Sequence, residues 1–293
     1  MLKKLQLFKN NFGCIIVPFE NQTNALLLNR KLVNDLVEKS GAVIFRGFET
    51  DTEKFKLITE NFSGNFMSHL APSLRPAVGK DPTMTEVLSG NGLIHLHGEM
   101  FYVPIRPDFL WLYCVKPAIS DGETTVCSSI DFFNTLSDTA KNIFQNHRIQ
   151  YHFSLTPEQV RSGLGETPQQ IKQTLSLKGV NEFYLDKEGN LNFSSQAWAV
   201  VTLKNGKKGF INSIANILQY TNSAASKSRI VLDNGQPLGK ILLEEIMHIG
   251  ESIAQKIEWE AGDVLVVDNS WVMHGRRPFE GERKILTRFG MAA

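Results

Sequence analysis

The stretch His95-Leu96-His97-Gly98-Glu99 places three potential metal ligands within five residues, and His274 stands far downstream. Residues two apart on an extended segment project to the same side, so His97 and Glu99 could hold one ion from one face of a sheet. His274 follows a strand-like run from Asp263 to Asp268 and completes a set of two histidines and one carboxylate. Two neutral imidazoles and one carboxylate suit iron(II) and leave coordination positions open for an oxidant and a second ligand. His95 shares the expected side of His97 and is open to three readings: ligand, substrate contact or packed core histidine.

Such a centre needs groups around it. Imidazole ligands are held by hydrogen bonds from neighbouring polar groups, and Asp268 and Asn269 are close enough in sequence to supply them. A chelating keto acid would place its far carboxylate away from the metal, where a guanidinium grips it best. Arg288 lies 14 residues beyond His274 on a predicted strand running back along the site, and Thr124 could add a hydroxyl donor. Phe101 and Tyr102 either line a substrate pocket or pack in the core, and Arg276 and Arg277 hold either an anionic substrate or their own loop. His69, His147, His152 and His248 read as structural or surface residues, and Asn91, Asn212 and Ser213 as groups that satisfy backbone.

The elements that must position these residues alternate. Cys14 to Pro18 and Ala42 to Phe48 read as strands. Asn29 to Ser40 reads as a helix with Leu32, Val33, Leu36 and Val37 on one face, and a second helix opens on the capping-box spacing of Thr50 and Glu53 with Phe55, Ile58 and Phe62 inward. Gly64 to Gly92 is rich in Gly, Pro, Ser and Asn, and it reads as a functional loop at the mouth of a site because it runs straight into His95. Phe109 to Val115 and Thr124 to Ser128 are strands framing the motif. Ser129 to Asn146 is a helical stretch divided at Ser137, a fitting N-cap. From about 150 to 195 the sequence turns helical and polar, an insertion lying over a core as a lid. An amphipathic helix at Lys240 to Lys256 precedes strands at Lys256 to Glu260, Asp263 to Asp268 and Lys284 to Phe289. This order predicts one domain over 1–293, α+β but mainly β, built as a sandwich or short barrel with helices packed outside.

Composition narrows the partners. A net charge of +1 with interleaved Lys, Arg, Asp and Glu offers no block for nucleic acid or a membrane surface, so a small-molecule partner is expected. Three widely spaced cysteines give neither a zinc CxxC pair nor a disulfide framework, which points to a reducing cytoplasm. No apolar run is long enough for a secretory core or a bilayer span, so a soluble, unprocessed protein is expected. The lack of paired cysteines also separates the His-x-Glu pair from zinc deaminases. A cupin-like metal-dependent isomerase and a non-catalytic small-molecule-binding barrel remain as alternatives, neither of which requires Arg288 or Thr124.

In order, His97-Gly98-Glu99, the apolar strand, Asp121-Gly122-Glu123-Thr124, Gly262-Asp263, Asp268-Asn269, His274-Gly275-Arg276, Arg283 and Arg288 resemble the iron(II)- and 2-oxoglutarate-dependent dioxygenases of the taurine dioxygenase and clavaminate synthase-like superfamily. Val43-Ile44-Phe45-Arg46-Gly47-Phe48 resembles that family's N-terminal strand, so the match runs from about residue 41 to 290 and is weakest between 150 and 200. The resemblance implies a double-stranded β-helix (jelly-roll, cupin-like) core with flanking helices and a helical insertion. It implies iron(II) on His97, Glu99 and His274, with 2-oxoglutarate on Thr124 and Arg288. It also implies O2 as cosubstrate, release of succinate and CO2, and hydroxylation of a substrate C–H bond, or desaturation or cyclisation. Glu99 stands where most members have Asp. That resembles the clavaminate synthase and amino-acid hydroxylase branch and argues against halogenation, which needs a small residue there. Lys284 stands where some members carry another arginine; it and Arg283 are candidates for an anionic substrate. The branch implies an amino acid, a derivative of one or a specialised-metabolism intermediate, carboxylate-bearing or carrier-bound.

Overall fold

A computed structural model describes residues 2–9, 12–19, 22–69, 75–221 and 227–292. The chain opens with β1 (Leu2–Gln6), β2 (Cys14–Pro18), α1 (Arg30–Ser40), β3 (Ala42–Phe45) and α2 (Thr52–Phe62). Short strands β4 (Asn65–Met67), β5 (Ala77–Val78) and β6 (Asp81–Glu86) lead to β7 (Ile94–His97), β8 (Phe109–Lys116), β9 (Ser120–Asp121) and β10 (Thr124–Ser128). Then come α3 (Ser129–Thr135), α4 (Asp138–Asn146), β11 (Ile149–Leu155), α5 (Pro157–Gly163), α6 (Pro168–Ser176), β12 (Phe183–Leu185) and β13 (Leu191–Ala197). The last part holds β14 (Val200–Thr202), β15 (Lys208–Phe210), α7 (Ile214–Thr221), β16 (Arg229–Leu232), α8 (Lys240–Ile253) and β17 (Gln255–Ile257). It ends with β18 (Val264–Asp268), β19 (Val272–Arg276), β20 (Phe279–Glu280) and β21 (Lys284–Met291).

Two sheets face each other across the site. The larger runs β1-β2-β3-β18-β8-β21-β6-β5, with β4 also on β21, and the smaller runs β17-β10-β19-β7. The larger sheet is covered on both sides. Phe45, Trp111, Tyr113 and Leu286 meet Val33, Leu36 and Val37 of α1 and Phe55, Ile58 and Phe62 of α2. Ile44, Leu110, Leu112, Leu265, Ile285 and Phe289 face inward and pack with Val126, Ile257 and Val272. Double coverage explains why β8 is almost unbroken in apolar character from Phe109 to Cys114, since neither face of the strand meets water until Val115. Burying each such side chain contributes about 1.5–3 kcal/mol, so the doubly covered strands anchor the frame on which the site is built.

Local chemistry sets the helix limits. Asn29 caps α1 by accepting from the Leu32 amide at 3.0 Å, and Gly41 ends it at φ +75°, where a Cβ would lie 2.6 Å from Trp271 and Val272. Leu32, expected inward, is instead exposed, and Val33, Leu36 and Val37 form the buried stripe. The α2 cap is Asp51, whose Oδ1 accepts from the Lys54 amide at 2.7 Å, in place of the Thr50 and Glu53 box. Ser137 caps α4 as expected. No helix among the described residues is long and apolar enough to cross a membrane.

Helix makes up only about a third of the 150–195 segment. Its two helices, each opened by a Thr capping box, lie beside a sheet ordered β12-β13-β11-β16. The alternation of Ile149, Tyr151 and Phe153 with Gln150 and His152 carries β11. Between Gly64 and Gly92, short strands β4 and β6 pair along β21 and β5 pairs along β6, while residues 70–74 of that expected loop lie outside the described residues.

Candidate active site

His97 and His274 sit directly opposite one another in the β7–β19 ladder, ring centroids 4.3 Å apart. His274 thus comes from within a strand and not from a loop after one. Glu99 is likewise not on a strand: the chain turns after His97, and Met100 adopts a left-handed φ of +59° that few non-glycine residues tolerate. Ligand atoms of His97, Glu99 and His274, all buried, lie within 4.8 Å of one another.

The turn is held from several sides. Asn269 Oδ1 accepts from the Glu99 amide at 2.7 Å, and its Nδ2 donates to the carbonyls of Glu99 at 3.0 Å and Pro107 at 2.8 Å. The Gly98 amide donates to the Asn212 carbonyl, and Ser213 Oγ donates to the Gly98 carbonyl. A Cβ on Gly98 would lie 2.3 Å from the Phe101 ring. Asn269, expected to steady an imidazole, thus clamps the backbone of the carboxylate residue, while Asp268 binds its own neighbour Ser270.

The donor set fits a divalent metal. His97 Nδ1 lies 2.8 Å from the His95 carbonyl, which fixes the proton there and leaves Nε2 as the donor atom. Burial and the facing His274 push His97 down to about 3, so it is neutral at pH 7. Burial alone would raise the Glu99 carboxyl, but Arg75, His274 and His69 outweigh it and hold it well below the usual carboxylate range. Glu99 Oε2 is buried without a hydrogen bond, a cost that a cation removes.

Arg288 is not in this cavity. Along β21, Ile285 and Phe289 face inward, and Arg288 shares the opposite face with Leu286. Its guanidinium reaches Thr59 Oγ1 at 2.7 Å, Thr83 Oγ1 at 3.0 Å and Asp81 Oδ2 at 3.2 Å, and stacks over Phe66. It ties α2 to β6 on the outer face of the sheet. Arg283 lines the cavity instead, together with Thr124, Arg276 and the triad. Arg283 Nε donates to the Gly122 carbonyl at 2.9 Å and Nη2 approaches Thr124 Oγ1 at 3.4 Å. Burial and neighbouring Arg276 push Arg283 down to about 10, still cationic at neutral pH.

The remaining candidates divide. Arg276 lines the cavity, donating to the carbonyls of Leu88 at 2.9 Å and Gly92 at 2.9 Å. Arg277 pairs with Glu251 at 2.8 Å and belongs with His95 to a second cavity against α8. His95 leaves the triad because two residues of β7, His95 and Leu96, oppose one of β19, Gly275, a bulge that breaks the alternation. Phe101 and Tyr102 are packed in the core beneath the 150–195 segment and are not part of the cavity wall. Three site residues were not among the sequence candidates. Arg75 approaches Glu99 Oε2 at 3.6 Å and lies over the Phe289 ring. His69 Nε2 is 3.5 Å from Glu99 Oε1, and Asn216 lines the cavity with a buried, unpartnered Oδ1. No motif flags these three, since they come from a loop and a helix far from the triad in sequence.

Metal-binding donors between two facing sheets, with a cation in the same cavity, are the arrangement of the iron- and 2-oxoglutarate-dependent dioxygenases. Comparison with known proteins agrees: residues 8–289 match the family "Taurine catabolism dioxygenase TauD, TfdA", and the chain belongs to it. A clavaminate synthase-like protein of Arabidopsis thaliana is 23% identical over 285 residues, covering 90% of this chain and 86% of that protein. The 3-((Z)-2-isocyanoethenyl)-1H-indole synthase of Fischerella ambigua is 21% identical over 271 residues, covering 92% and 88%. Among solved structures, PvcB of Pseudomonas aeruginosa superposes with a TM-score of 0.64 at 14% identity, over 100% of this chain and 92% of that one. PvcB is described as an Fe, alpha-ketoglutarate dependent oxygenase from an isonitrile synthetic pathway.

Proposed function

We propose that this dioxygenase holds iron(II) on His97, Glu99 and His274, binds the far carboxylate of 2-oxoglutarate at Arg283 and Thr124, and hydroxylates an unactivated C–H bond of a small molecule. The observation that carries this reading is the shared cavity: Arg283 and Thr124 line the same space as the three donors. A cupin-like isomerase or a binding barrel has no need of that arginine and threonine. Bound there, iron(II) with O2 supplies the oxidation that converts 2-oxoglutarate to succinate and CO2 while the second oxygen atom enters the substrate.

The chain's own residues set the conditions. Asn269 and Ser213 fix the turn so that Glu99 presents its carboxylate without rearrangement. Arg283 neutralises one charge of the keto acid and sets its register. Leu110, Leu112, Ile94 and Ile285 wall the cavity and keep water away from the reacting atoms.

Among the described residues, the cavity lining holds three arginines, Arg75, Arg276 and Arg283, and one carboxylate, Glu99. With Arg283 assigned to the cosubstrate, Arg75 favours a substrate with a free carboxylate, such as an amino acid or a derivative of one, over a carrier-bound thioester. The isocyanoethenyl group in the name of the Fischerella ambigua relative contains a C=C bond, which keeps desaturation beside hydroxylation as the outcome. The 150–195 segment, packed on Met100 to Val103, is assigned as the cover of this side. Three buried free thiols fit a cytoplasmic setting.

The test is a screen of amino acids and N-acylated derivatives against their methyl esters, scored by succinate release, with product mass separating gain of one oxygen from loss of two hydrogens. Succinate release should require iron(II), favour the free acids and vanish in Glu99→Ala. Unchanged turnover in that variant would refute the ligand set.

A further inference from the structure

Thr124 sits at the first position of β10, paired with Ile257 of β17, and is buried. Two residues past Ile257, partly buried Trp259 turns its indole back so that Nε1–H donates to Thr124 Oγ1 at 3.1 Å. Arg283 Nη2 approaches the same oxygen at 3.4 Å. An indole N–H and a guanidinium can only donate, whereas a hydroxyl has two lone pairs to accept with and one proton to give. Two donors therefore occupy both lone pairs of Oγ1, and the threonine is left in one state, with its proton to be given away.

The loop that carries Trp259 is anchored independently of the site. Arg46 Nε and Nη2 reach the two oxygens of Asp263 at 3.0 and 2.6 Å, Nη2 also reaches the Glu258 carbonyl at 2.9 Å, and Nη1 pairs with Glu260 at 2.8 Å. Asp263 Oδ2 accepts from the Glu260 amide at 2.9 Å. This fork fixes the backbone on both sides of Trp259, so the indole is held in place before any ligand arrives.

We propose that Trp259 is a positioning residue for the cosubstrate: by donating to Thr124 Oγ1 it turns the threonine hydroxyl into a dedicated donor aimed at the far carboxylate of 2-oxoglutarate beside Arg283. The proposal rests on the cosubstrate site given above. Without the indole, the hydroxyl is free to rotate and to donate to other acceptors, and the orientation it now holds must be set at the moment of binding.

The experiment is anaerobic calorimetric titration of the iron(II)-loaded protein with 2-oxoglutarate and, separately, with 2-oxovalerate, which has the same chelating end and a methyl in place of the far carboxylate. Trp259→Phe should weaken 2-oxoglutarate about tenfold, the order of one oriented hydrogen bond to a charged group, and leave 2-oxovalerate within about twofold. In steady state the KM for 2-oxoglutarate should rise by the same factor with kcat little changed. Thr124→Val combined with Trp259→Phe should bind no more weakly than Thr124→Val alone, because the indole acts through the hydroxyl. Equal weakening of both keto acids, or additive losses in the double variant, would mean that Trp259 only packs and would overturn the proposal. Wild-type protein that takes up iron but binds neither keto acid would instead overturn the cosubstrate reading, and this proposal with it.

Discussion

Arg283 and Thr124 face each other inside the cavity, Nη2 3.4 Å from Oγ1, while Arg288, five residues further along the chain and within β21, points to the opposite side of the sheet. The two arginines therefore have separable consequences. Arg288→Gln removes the buried cation between Thr59, Thr83 and Asp81, while Asp81 keeps Lys56 at 3.8 Å and Glu60 is exposed, so it should lower stability by about 1–3 kcal/mol in denaturant unfolding and spare keto-acid binding in the folded fraction.

Asn269→Ala removes the three hydrogen bonds that frame Glu99 and leaves an amide and two carbonyls buried without partners. It should cost about 2–4 kcal/mol of stability. Iron(II) affinity should fall roughly 10- to 100-fold, measured by competition with a chromogenic chelator. An unchanged affinity would show that the carboxylate needs no backbone clamp.

Gly98→Ala introduces a Cβ 2.3 Å from the Phe101 ring and 2.8 Å from Ile211. Relief requires the turn to shift and Glu99 with it, at about 1–3 kcal/mol of overpacking. The expected result is a lower melting temperature together with substoichiometric iron, read by thermal scanning and metal analysis. Full iron content at wild-type stability would contradict the steric account.

His95→Ala should bind iron(II) within about twofold of wild type, because the side chain lines the second cavity and only its carbonyl touches His97. Loss of metal in this variant would place the imbalance in the assignment of His95, and metal content per chain decides it.

What was legible in the sequence follows from what is local. The His97-Gly98-Glu99 spacing and the distant His274 were readable because ligand chemistry restricts residue types, and the doubly covered β8 was readable as an unbroken apolar run. Arg283 was obscured because Ile285 and Leu286 are both apolar, so the strand shows no alternation from which to choose a face. His95 was misplaced because one bulge residue in β7 shifts the phase, and a bulge has no composition of its own. Arg75 and His69 reach Glu99 only through tertiary folding of a loop whose sequence carries no periodicity.

On the proposed reading, iron(II) and 2-oxoglutarate meet at this cavity with Arg283 holding the far carboxylate. Anaerobic titration of iron-loaded protein with 2-oxoglutarate, followed by the visible metal-to-keto-acid charge-transfer band, tests it most directly. The wild type should give a saturable band, weakened about 30-fold or more in Arg283→Ala, as expected for loss of a charge-assisted contact, and retained in folded Arg288→Gln. A fully iron-loaded wild type with no band, or a band lost in Arg288→Gln and kept in Arg283→Ala, would contradict that reading.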